Sequence, residues 1–319
     1  MTAELHPSGL LTLARMPFLS AREKILLADL LDGTVDVSVL CIGALQEITG
    51  RNLRGACWEP QVWKALAAKD ESFLLAGGIR ALSYFDEGYP AILRETARPP
   101  FMLYCRGRLP EPDSPAVAIV GTRYPTGNGL RISFSFASVA AKAGIPVVSG
   151  LARGVDSAAH RGSLQGGGPT FAVLGCGIDA VYPRANKELA AQLLKSGGGL
   201  LSEYPPGIIP TKWTFPERNR ILAGLCRSTL VIEAPTGSGA LITASFALEE
   251  GRDVYVAASC AGGIRSAGSD ALVADGAPAV NDFEEIVADW SGHHEAGMAF
   301  PAVNQAGPYP DTTYSRRFT

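Results

Sequence analysis

A chain of 319 residues is long enough for one large domain and a smaller one, and its 36 glycines are typical of tight turns between strands and helices. No run approaches the roughly 18 apolar residues that span a bilayer, and the first residues lack the pattern of a signal peptide, so we expect a cytoplasmic protein without membrane contact. The net charge of −3, taken alone, argues against a nucleic-acid-binding protein.

The charges are, however, unevenly distributed along the chain. Residues 1–119 carry a net charge of −2, residues 120–230 carry +7, and residues 231–319 carry −8. A basic central segment can create a local positive field on a protein that is acidic overall. A scatter of solvated charges is the alternative, and charge alone does not decide between the two.

The cysteines and histidines show no spacing typical of a zinc site, so we expect buried thiols and no metal. The six cysteines are Cys41, Cys57, Cys105, Cys176, Cys226 and Cys260.

The first part of the chain predicts a small helical domain over residues 1–80. The segment Ser20-Ala21-Arg22-Glu23 is a capping box, and Gly33 is suited to end the helix that it starts. Further helical patterns cover residues 36–49 and 58–69. The apolar face of the helix that follows the capping box is predicted to consist of Ile25, Leu26, Leu27, Leu30 and Leu31.

Residues 81–113 predict a connecting extension with a strand, a short helix and a second strand, which ends in a proline-rich boundary. Residues 114–290 then alternate short, continuously apolar strands with helices. The strands are predicted at 116–120, 146–149, 171–174, 200–203, 230–233 and 254–257, and the helices near 128–143, 157–165, 186–196, 216–225 and 240–250.

This alternation predicts an α/β fold with a doubly wound, mostly parallel Rossmann-like sheet, because uniformly apolar strands are typical of sheets that are covered on both faces. Ligands of such sheets bind beyond the carboxyl ends of the strands, so the loops after the strands are the candidate sites. The Gly-, Ala- and Pro-rich segment 291–319 is predicted to be a flexible tail.

The loop after the first of these strands contains Gly121, Thr122 and Arg123. Backbone N–H groups and the start of a helix are suited to bind a phosphate there, while Thr122 and Arg123 offer further donors. An ordinary turn with Arg123 in an ion pair is the alternative. After the second strand, Arg153 is placed to reach the same crevice, and Asp156 is expected to cap the next helix.

The segment Gly175-Cys176-Gly177-Ile178-Asp179-Ala180 matches the G-x-G-x-x-A pattern of dinucleotide sites, with Glu203 in the place of a ribose-binding acid. Pro183 interrupts the helix that should follow, and the motif is not on the first strand of the sheet. His160 lacks a Ser or Cys partner and is expected to be packed. We therefore expect no catalytic residue and no cofactor; a nucleotide-binding or nucleotide-hydrolysing enzyme is the alternative.

The loop after the fourth strand interleaves cations with aromatic residues, which suits single-stranded nucleic acid because cations bind phosphates and rings stack on unpaired bases. The alternative places the aromatic residues, Trp213 above all, in the core. Gly237 and Ser238, after the fifth strand, form another small-residue loop at a helix start. The loop after the fourth strand contains Lys212, Trp213, Phe215, Arg218, Asn219 and Arg220.

Together these motifs resemble the DNA-processing protein A family, also called DprA or Smf. The helical first part resembles the sterile-alpha-motif-like (SAM-like) domain that is often fused there. The segments that carry the resemblance are 86–90 (DEGYP), 118–123 (AIVGTR), 149–156 (SGLARGVD) with His160, 174–177 (LGCG) with Tyr182-Pro183, 202–205 (SEYP), 215–220 (FPERNR) and 238–244 (SGALITA).

The resemblance implies a non-enzymatic protein that binds and protects incoming single-stranded DNA during natural transformation (competence), frequently as a homodimer, and loads the RecA recombinase. The basic pocket of the family combines a Gly-Ser/Thr-Arg turn, here Gly121 to Arg123, with a Lys and an aromatic residue, here Lys212 and Phe215. Arg123 and Lys212 are expected to bind phosphates, and Phe215 to stack on a base. The full set of expected DNA contacts is Gly121, Thr122, Arg123, Arg153, Lys212, Phe215, Arg218, Asn219, Arg220, Gly237 and Ser238.

Arg218 and Arg220 could brace the loop instead of contacting DNA. For Arg220 the structural role is favoured. The chain departs from the family pattern at Ala258-Ser259, where Pro-Gly is usual. The winged-helix module found at the C-terminus of many members is not recognised in the sequence.

Overall fold

The computed structural model of the protein describes residues 7–31, 40–53, 56–112 and 114–292. The expected helix stop at Gly33, the first residues of the helical pattern over 36–49 and the predicted tail from residue 293 onward lie outside these ranges.

The capping box of the first part of the chain forms as predicted: Glu23 N donates to Ser20 Oγ at 3.3 Å, and Ser20 N donates to Glu23 Oε2 at 2.6 Å. The helix behind it packs along a narrower face than its pattern predicted, since Leu27 is buried whereas Leu26 and Leu30 are exposed. The helices of this part are α1 (Pro7–Arg15), α2 (Ala21–Leu30), α3 (Ile42–Thr49) and α4 (Pro60–Gly77).

The other described residues contain one sheet, whose strands are β1 (Ile79–Ser83), β2 (Met102–Gly107), β3 (Val117–Val120), β4 (Val147–Ser149), β5 (Thr170–Val173), β6 (Gly199–Ser202), β7 (Ser228–Val231), β8 (Asp253–Ala257) and β9 (Ala279–Val280). Their order is β1-β2-β6-β5-β4-β3-β7-β8-β9. The pairs from β6 to β9 are all parallel, and β1 and β2 are antiparallel additions at one edge. The predicted doubly wound, mostly parallel sheet is confirmed.

Helices cover both faces of this sheet. The helices are α5 (Ala91–Arg94), α6 (Gly127–Lys142), α7 (Val155–Gln165), α8 (Lys187–Lys195), α9 (Thr214–Gly224), α10 (Gly239–Glu249), α11 (Ala267–Ala274) and α12 (Phe283–Gly292). In β3, Ile119 packs in one apolar cluster with Phe136 of α6, whereas its neighbour Ala118 packs in another with Ile221 of α9. Both side-chain directions of a central strand are therefore buried, which is why the strands are uniformly apolar.

The segment expected to connect two domains contributes strands to the sheet. Tyr104 to Gly107 of β2 pair with β6, and β1 pairs with β2. Met102 and Tyr104 also share a hydrophobic core with Trp63 and Leu74 of α4. The helical first part and the sheet are thus joined by one continuous core beside β2.

Cys105, Cys176, Cys226 and Cys260 are buried as expected. The expectation is wrong for Cys41 and Cys57, which are exposed because they lie in the short segments before α3 and α4, outside the core. Among the residues that the structure describes, no helix is long and apolar enough to cross a membrane.

The crossing of α6 and α7 depends on Gly162, where an added Cβ would overlap the carbonyl oxygen of Phe134 and lie 2.9 Å from its Cα. We expect Gly162→Ala to lower the free energy of unfolding by about 1–3 kcal/mol, because the methyl group forces the two helices apart. Gly127→Ala is the matched control: its Cβ meets open space, so this change is expected to be neutral or stabilising by up to about 1 kcal/mol. Urea denaturation measures both, and equal stability of Gly162→Ala and wild type would contradict this packing.

Candidate nucleic-acid interface

The parallel strands bring their following loops to one edge of the sheet, which we call the carboxyl edge. The loops that form it lie at 121–126 after β3, 150–154 after β4, 174–183 after β5, 203–213 after β6 and 232–238 after β7.

Two of these loops and the first turn of α9 bring three side chains together at the carboxyl edge, and we call Arg123, Tyr182 and Phe215 the aromatic cluster. The Arg123 guanidinium carbon lies 5.3 Å from the centre of the Phe215 ring. The ring centres of Phe215 and Tyr182 are 5.5 Å apart, with their planes inclined at 44°. Arg123 and Tyr182 are exposed and Phe215 is half-buried. The predicted proximity of Arg123 and Phe215 is thus what the fold produces.

The local sequence around Tyr182 assigns it no functional role. Its only signal there was its place in the family motif Tyr182-Pro183, and no local pattern connects it with Phe215 more than thirty residues later. A glycine helps to place the ring: a Cβ at Gly175 would lie 2.8 Å from Phe215 Cδ1, so the ring packs directly against the end of β5.

Lys212 and Trp213 are both exposed, and Lys212 Nζ lies 4.7 Å from the centre of the Trp213 ring. The alternative that placed Trp213 in the core is therefore wrong, since 70% of this residue is exposed. The short turn is held by Thr211, whose N–H donates to Thr214 Oγ1 at 3.0 Å. The loop thus carries a cation and an indole ring into solvent, just before α9 begins.

Arg153 lies on a loop that touches the Arg123 turn. Gly154 has φ +80° and approaches that turn so closely that a Cβ would lie 2.6 Å from Thr122 O. Arg153 is exposed, and neither it nor Arg123 forms an ion pair with a residue that the structure describes. Among the described residues, Arg123 is therefore not ion-paired, contrary to the alternative. Two adjacent loops each present a cation to solvent.

The backbone phosphate cradle expected at Gly121 to Gly127 is not formed. Thr122 N donates to the Glu233 carbonyl at 2.7 Å, and Thr126 N donates to Glu233 Oε2 at 2.9 Å. The Glu233 carboxylate thereby takes the place at the start of α6 where the helix dipole favours an anion. Gly121 serves packing, because a Cβ there would lie 2.6 Å from Val155 Cγ2. Phosphates beside the turn after β3 would therefore have to be bound by side chains.

Arg218 is buried and bound to protein, not presented to solvent. Its Nη1 donates to Gly150 O at 2.9 Å and also to Val173 O, so it joins α9 to the ends of β4 and β5. Burial lowers the pKa of Arg218 to about 10, while the charge of Asp156 opposes that shift. Of the two roles considered for Arg218, bracing is the one that these contacts support.

Asp156 does not cap its helix as expected. Gly154 occupies the cap position of α7, and Asp156 lies in the first turn, where its Oδ2 accepts from Gly150 N at 3.1 Å and Ala152 N at 3.3 Å. Burial raises the pKa of Asp156, and the charge of Arg218 opposes that rise. The Asp156 carboxylate therefore holds the loop that precedes α7. The positive charge of Arg218 offsets the cost of burying this carboxylate.

Asn219 and Arg220 also have protein partners. Asn219 Nδ2 donates to Gly239 O at 3.1 Å, and Arg220 forms ion pairs with Glu203 and, at 3.4 Å, with Glu217. In the next loop, Ser238 Oγ accepts from Ala240 N at 3.3 Å and so caps α10, while Gly237 adopts φ +73° in the turn before it.

The G-x-G-x-x-A segment is a structural turn. Gly177 N donates to Ile208 O at 2.8 Å, and a Cβ at Gly177 would lie 2.7 Å from Pro205 O, so the loop after β6 covers the glycines. A 3₁₀ turn at Arg184–Asn186 precedes α8, and no helix starts at the motif. The space that a dinucleotide would need beside these glycines is filled by the protein's own backbone.

His160 is packed as expected. It is fully buried, its Nδ1 lies 2.8 Å from Thr170 Oγ1, and burial, with the charges of Arg218 and Arg161, lowers its pKa to about 3. It is thus neutral at physiological pH and has no access to substrate. Among the described residues, no three His, Cys, Asp or Glu side chains come together as metal ligands.

Comparison with known proteins identifies relatives of the whole sheet region. A family model described as DNA recombination-mediator protein A matches residues 80–291. Protein Smf of Synechocystis sp. is 49% identical over 174 residues, which cover 53% of this chain but 44% of that relative, so the chain spans less than half of its length.

Two solved structures are similar over most of the chain. DNA processing protein A of Streptococcus pneumoniae has a TM-score of 0.73 at 33% identity, covering 90% of this chain and 99% of that one. The Helicobacter pylori protein, whose structure addresses its own single-stranded DNA binding mode, has a TM-score of 0.60 at 28% identity, covering 68% of this chain and 97% of that one.

The bracing role of Arg218 predicts a large effect on stability. Arg218→Met leaves Asp156 and two carbonyls buried without their partner and is expected to lower the free energy of unfolding by about 3–5 kcal/mol. Arg153→Ala removes an exposed guanidinium and is expected to change it by less than about 0.5 kcal/mol. Urea denaturation at neutral pH compares the two, and unchanged stability of Arg218→Met would overturn the assignment.

Proposed function

Because the chain belongs to the DNA recombination-mediator protein A family, we propose that it binds single-stranded DNA at the carboxyl edge of its sheet. The match of the family model confirms the membership that the sequence motifs predicted. The observation that carries the proposal is the aromatic cluster, in which the exposed Arg123 lies over the ring of Phe215 beside Tyr182.

The chemistry of this edge suits an unpaired strand. Phosphates attract Arg123, Arg153 and Lys212, whose charges no described carboxylate neutralises by an ion pair. Bases whose faces are free stack on exposed rings, whereas a duplex keeps its bases stacked on one another. The guanidinium of Arg123 lies over the Phe215 ring, and a cation in such a contact can still donate to phosphate oxygens.

The expected contact residues divide into two groups in this proposal. Arg123, Arg153, Lys212 and Phe215 contact the DNA, together with Tyr182. Gly237 and Ser238 lie on the loop after β7, next to β3, and contact a strand long enough to reach that loop. The residues that shape and hold the surrounding loops are Gly121, Thr122, Arg218, Asn219 and Arg220.

We extend the proposal to the biology that the family implies. The protein would protect incoming single-stranded DNA, act as a homodimer and load the RecA recombinase in transformation or recombination. Binding is favoured over catalysis because His160 is buried and Glu203 is paired with Arg220. The glycines that suggested a nucleotide-dependent enzyme are covered by the loop after β6.

The phosphate contacts predict a defined salt dependence. Arg123→Ala/Lys212→Ala should weaken binding of oligo-dT by at least roughly tenfold, because two charge-assisted contacts are lost. It should also reduce the slope of log affinity against log salt by about 1.4, at about 0.7 for each phosphate. Fluorescence anisotropy over a range of salt concentrations measures both quantities.

The matched control is Lys142→Ala/Lys195→Ala, which removes two exposed lysines at the C-terminal ends of α6 and α8, on the opposite edge of the sheet. It should leave affinity nearly unchanged. If the two double variants bind equally well, the proposed interface is wrong even though DNA binding persists.

The stacking role of Phe215 predicts a different signature. Phe215→Leu should lose about 1–3 kcal/mol of binding free energy, since the leucine cannot stack on a base, but the salt slope should not change. Phe73→Leu, at an exposed phenylalanine of α4, is the control and should bind like wild type. A reduced salt slope, or an affinity equal to that of the control, would refute stacking by Phe215.

A further inference from the structure

The loop after β6, which carries Lys212 and leads to Phe215 at the start of α9, is hydrogen-bonded by a side chain of the helical first part of the chain. Arg15, the last residue of α1, donates from Nη2 to Pro206 O at 2.7 Å. We propose that Arg15 is a positioning residue for single-stranded DNA binding, which holds this loop in its binding conformation without touching the DNA. This inference rests on the proposed function.

Arg15 is itself rigidly held. Its Nε donates to Asp70 Oδ2 at 2.6 Å, and its Nη2 also pairs with Asp70 Oδ1, so a two-bond contact joins α1 to α4. The side chains of Arg15 and Asp70 are 11% and 3% exposed. A guanidinium can bind a carboxylate through two nitrogens and still donate to a carbonyl, whereas an ammonium group lacks this planar fork.

The contact acts within the loop, four residues beyond Ser202, the last residue of β6. Pro206, Gly207 and Ile208 each make one bond: Pro206 O accepts from Arg15, Gly207 N donates to Asp179 Oδ1 at 2.9 Å, and Ile208 O accepts from Gly177 N at 2.8 Å. The last two bonds lead to the loop after β5, which carries Tyr182. Without Arg15 the segment is held from that side only.

A bond at Pro206 restrains the residues that follow it. Pro205, Pro206 and Pro210 limit the backbone rotations of the loop, so fixing one carbonyl also restricts the path toward Lys212. A loop that is already ordered loses less conformational entropy when it binds a strand. Because Asp70 neutralises Arg15, the effect of Arg15 comes from order and not from its charge at the DNA.

The test uses Arg15→Lys in the full chain, which retains a positive charge beside Asp70 but loses the fork. We expect about 3–10-fold weaker binding of oligo-dT with an unchanged salt slope, because the phosphate contacts in the complex are the same. Limited trypsin digestion should cleave after the exposed Lys212 faster than in wild type. If Arg15→Lys fails to fold, Arg15→Met/Asp70→Leu replaces the buried pair by apolar side chains and serves the same test.

The matched control is Arg51→Lys. Arg51 has the same kind of contacts within the helical first part, since it binds the carboxylate of Glu23 through Nε and Nη2 and donates to Phe18 O, but it does not touch the loop. It should bind DNA and resist trypsin at Lys212 as wild type does. Equal effects of Arg15→Lys and Arg51→Lys would overturn the inference.

A double-mutant cycle separates this inference from the proposed function. With Lys212→Ala/Phe215→Leu already present, Arg15→Lys should weaken binding no further, because the loop it positions has lost its contacts. If Lys212→Ala/Phe215→Leu itself binds like wild type, the proposed function fails. If that variant binds weakly but Arg15→Lys is neutral alone or fully additive with it, the function stands and the positioning role is refuted.

Discussion

The guanidinium of Arg218 ties helix α9 to the sheet, and the arrangement of the candidate site depends on it. Its contacts with the carbonyls of Gly150 and Val173 fix the start of α9 over the ends of two neighbouring strands. Phe215 lies three residues earlier on the same helix, so the same anchor places its ring beside the loops after β3 and β5. Asp156 offsets the buried charge and shapes the loop that carries Arg153.

A Rossmann-like sheet loses a phosphate site when a side chain of the protein itself binds the N-terminus of a helix at its carboxyl edge. In this protein the Glu233 carboxylate binds the start of α6, and the loop after β6 covers the glycines after β5. Two of the three places where backbone N–H groups could hold a nucleotide phosphate are thus filled by the protein itself. What remains at the edge are exposed cations and rings, which suit a flexible polyanion with free base faces.

Much of the fold could be predicted from local pattern. The strands of residues 114–290 are short apolar runs, and turn residues mark their ends, so the α/β alternation is visible without tertiary information. Arg123, Lys212 and Phe215 could be named because they belong to motifs. Tyr182 and Glu233 could not be assigned, because their roles arise from contacts with residues far away in sequence. For the same reason the local sequence predicts Asp156 as a helix cap, since the opposing charge of Arg218 comes from a residue far away in the chain.

In the proposed complex, the aromatic cluster lies against the bases of bound single-stranded DNA. Photocross-linking of the protein to an oligonucleotide with bromodeoxyuridine in place of thymidine, followed by mass spectrometry of the cross-linked peptides, tests it most directly. We expect cross-links at Phe215 and Tyr182, with further products at Tyr124 and Trp213, whose rings are exposed on the loops after β3 and β6. Cross-links confined to the helical first part or to the opposite edge of the sheet would contradict it.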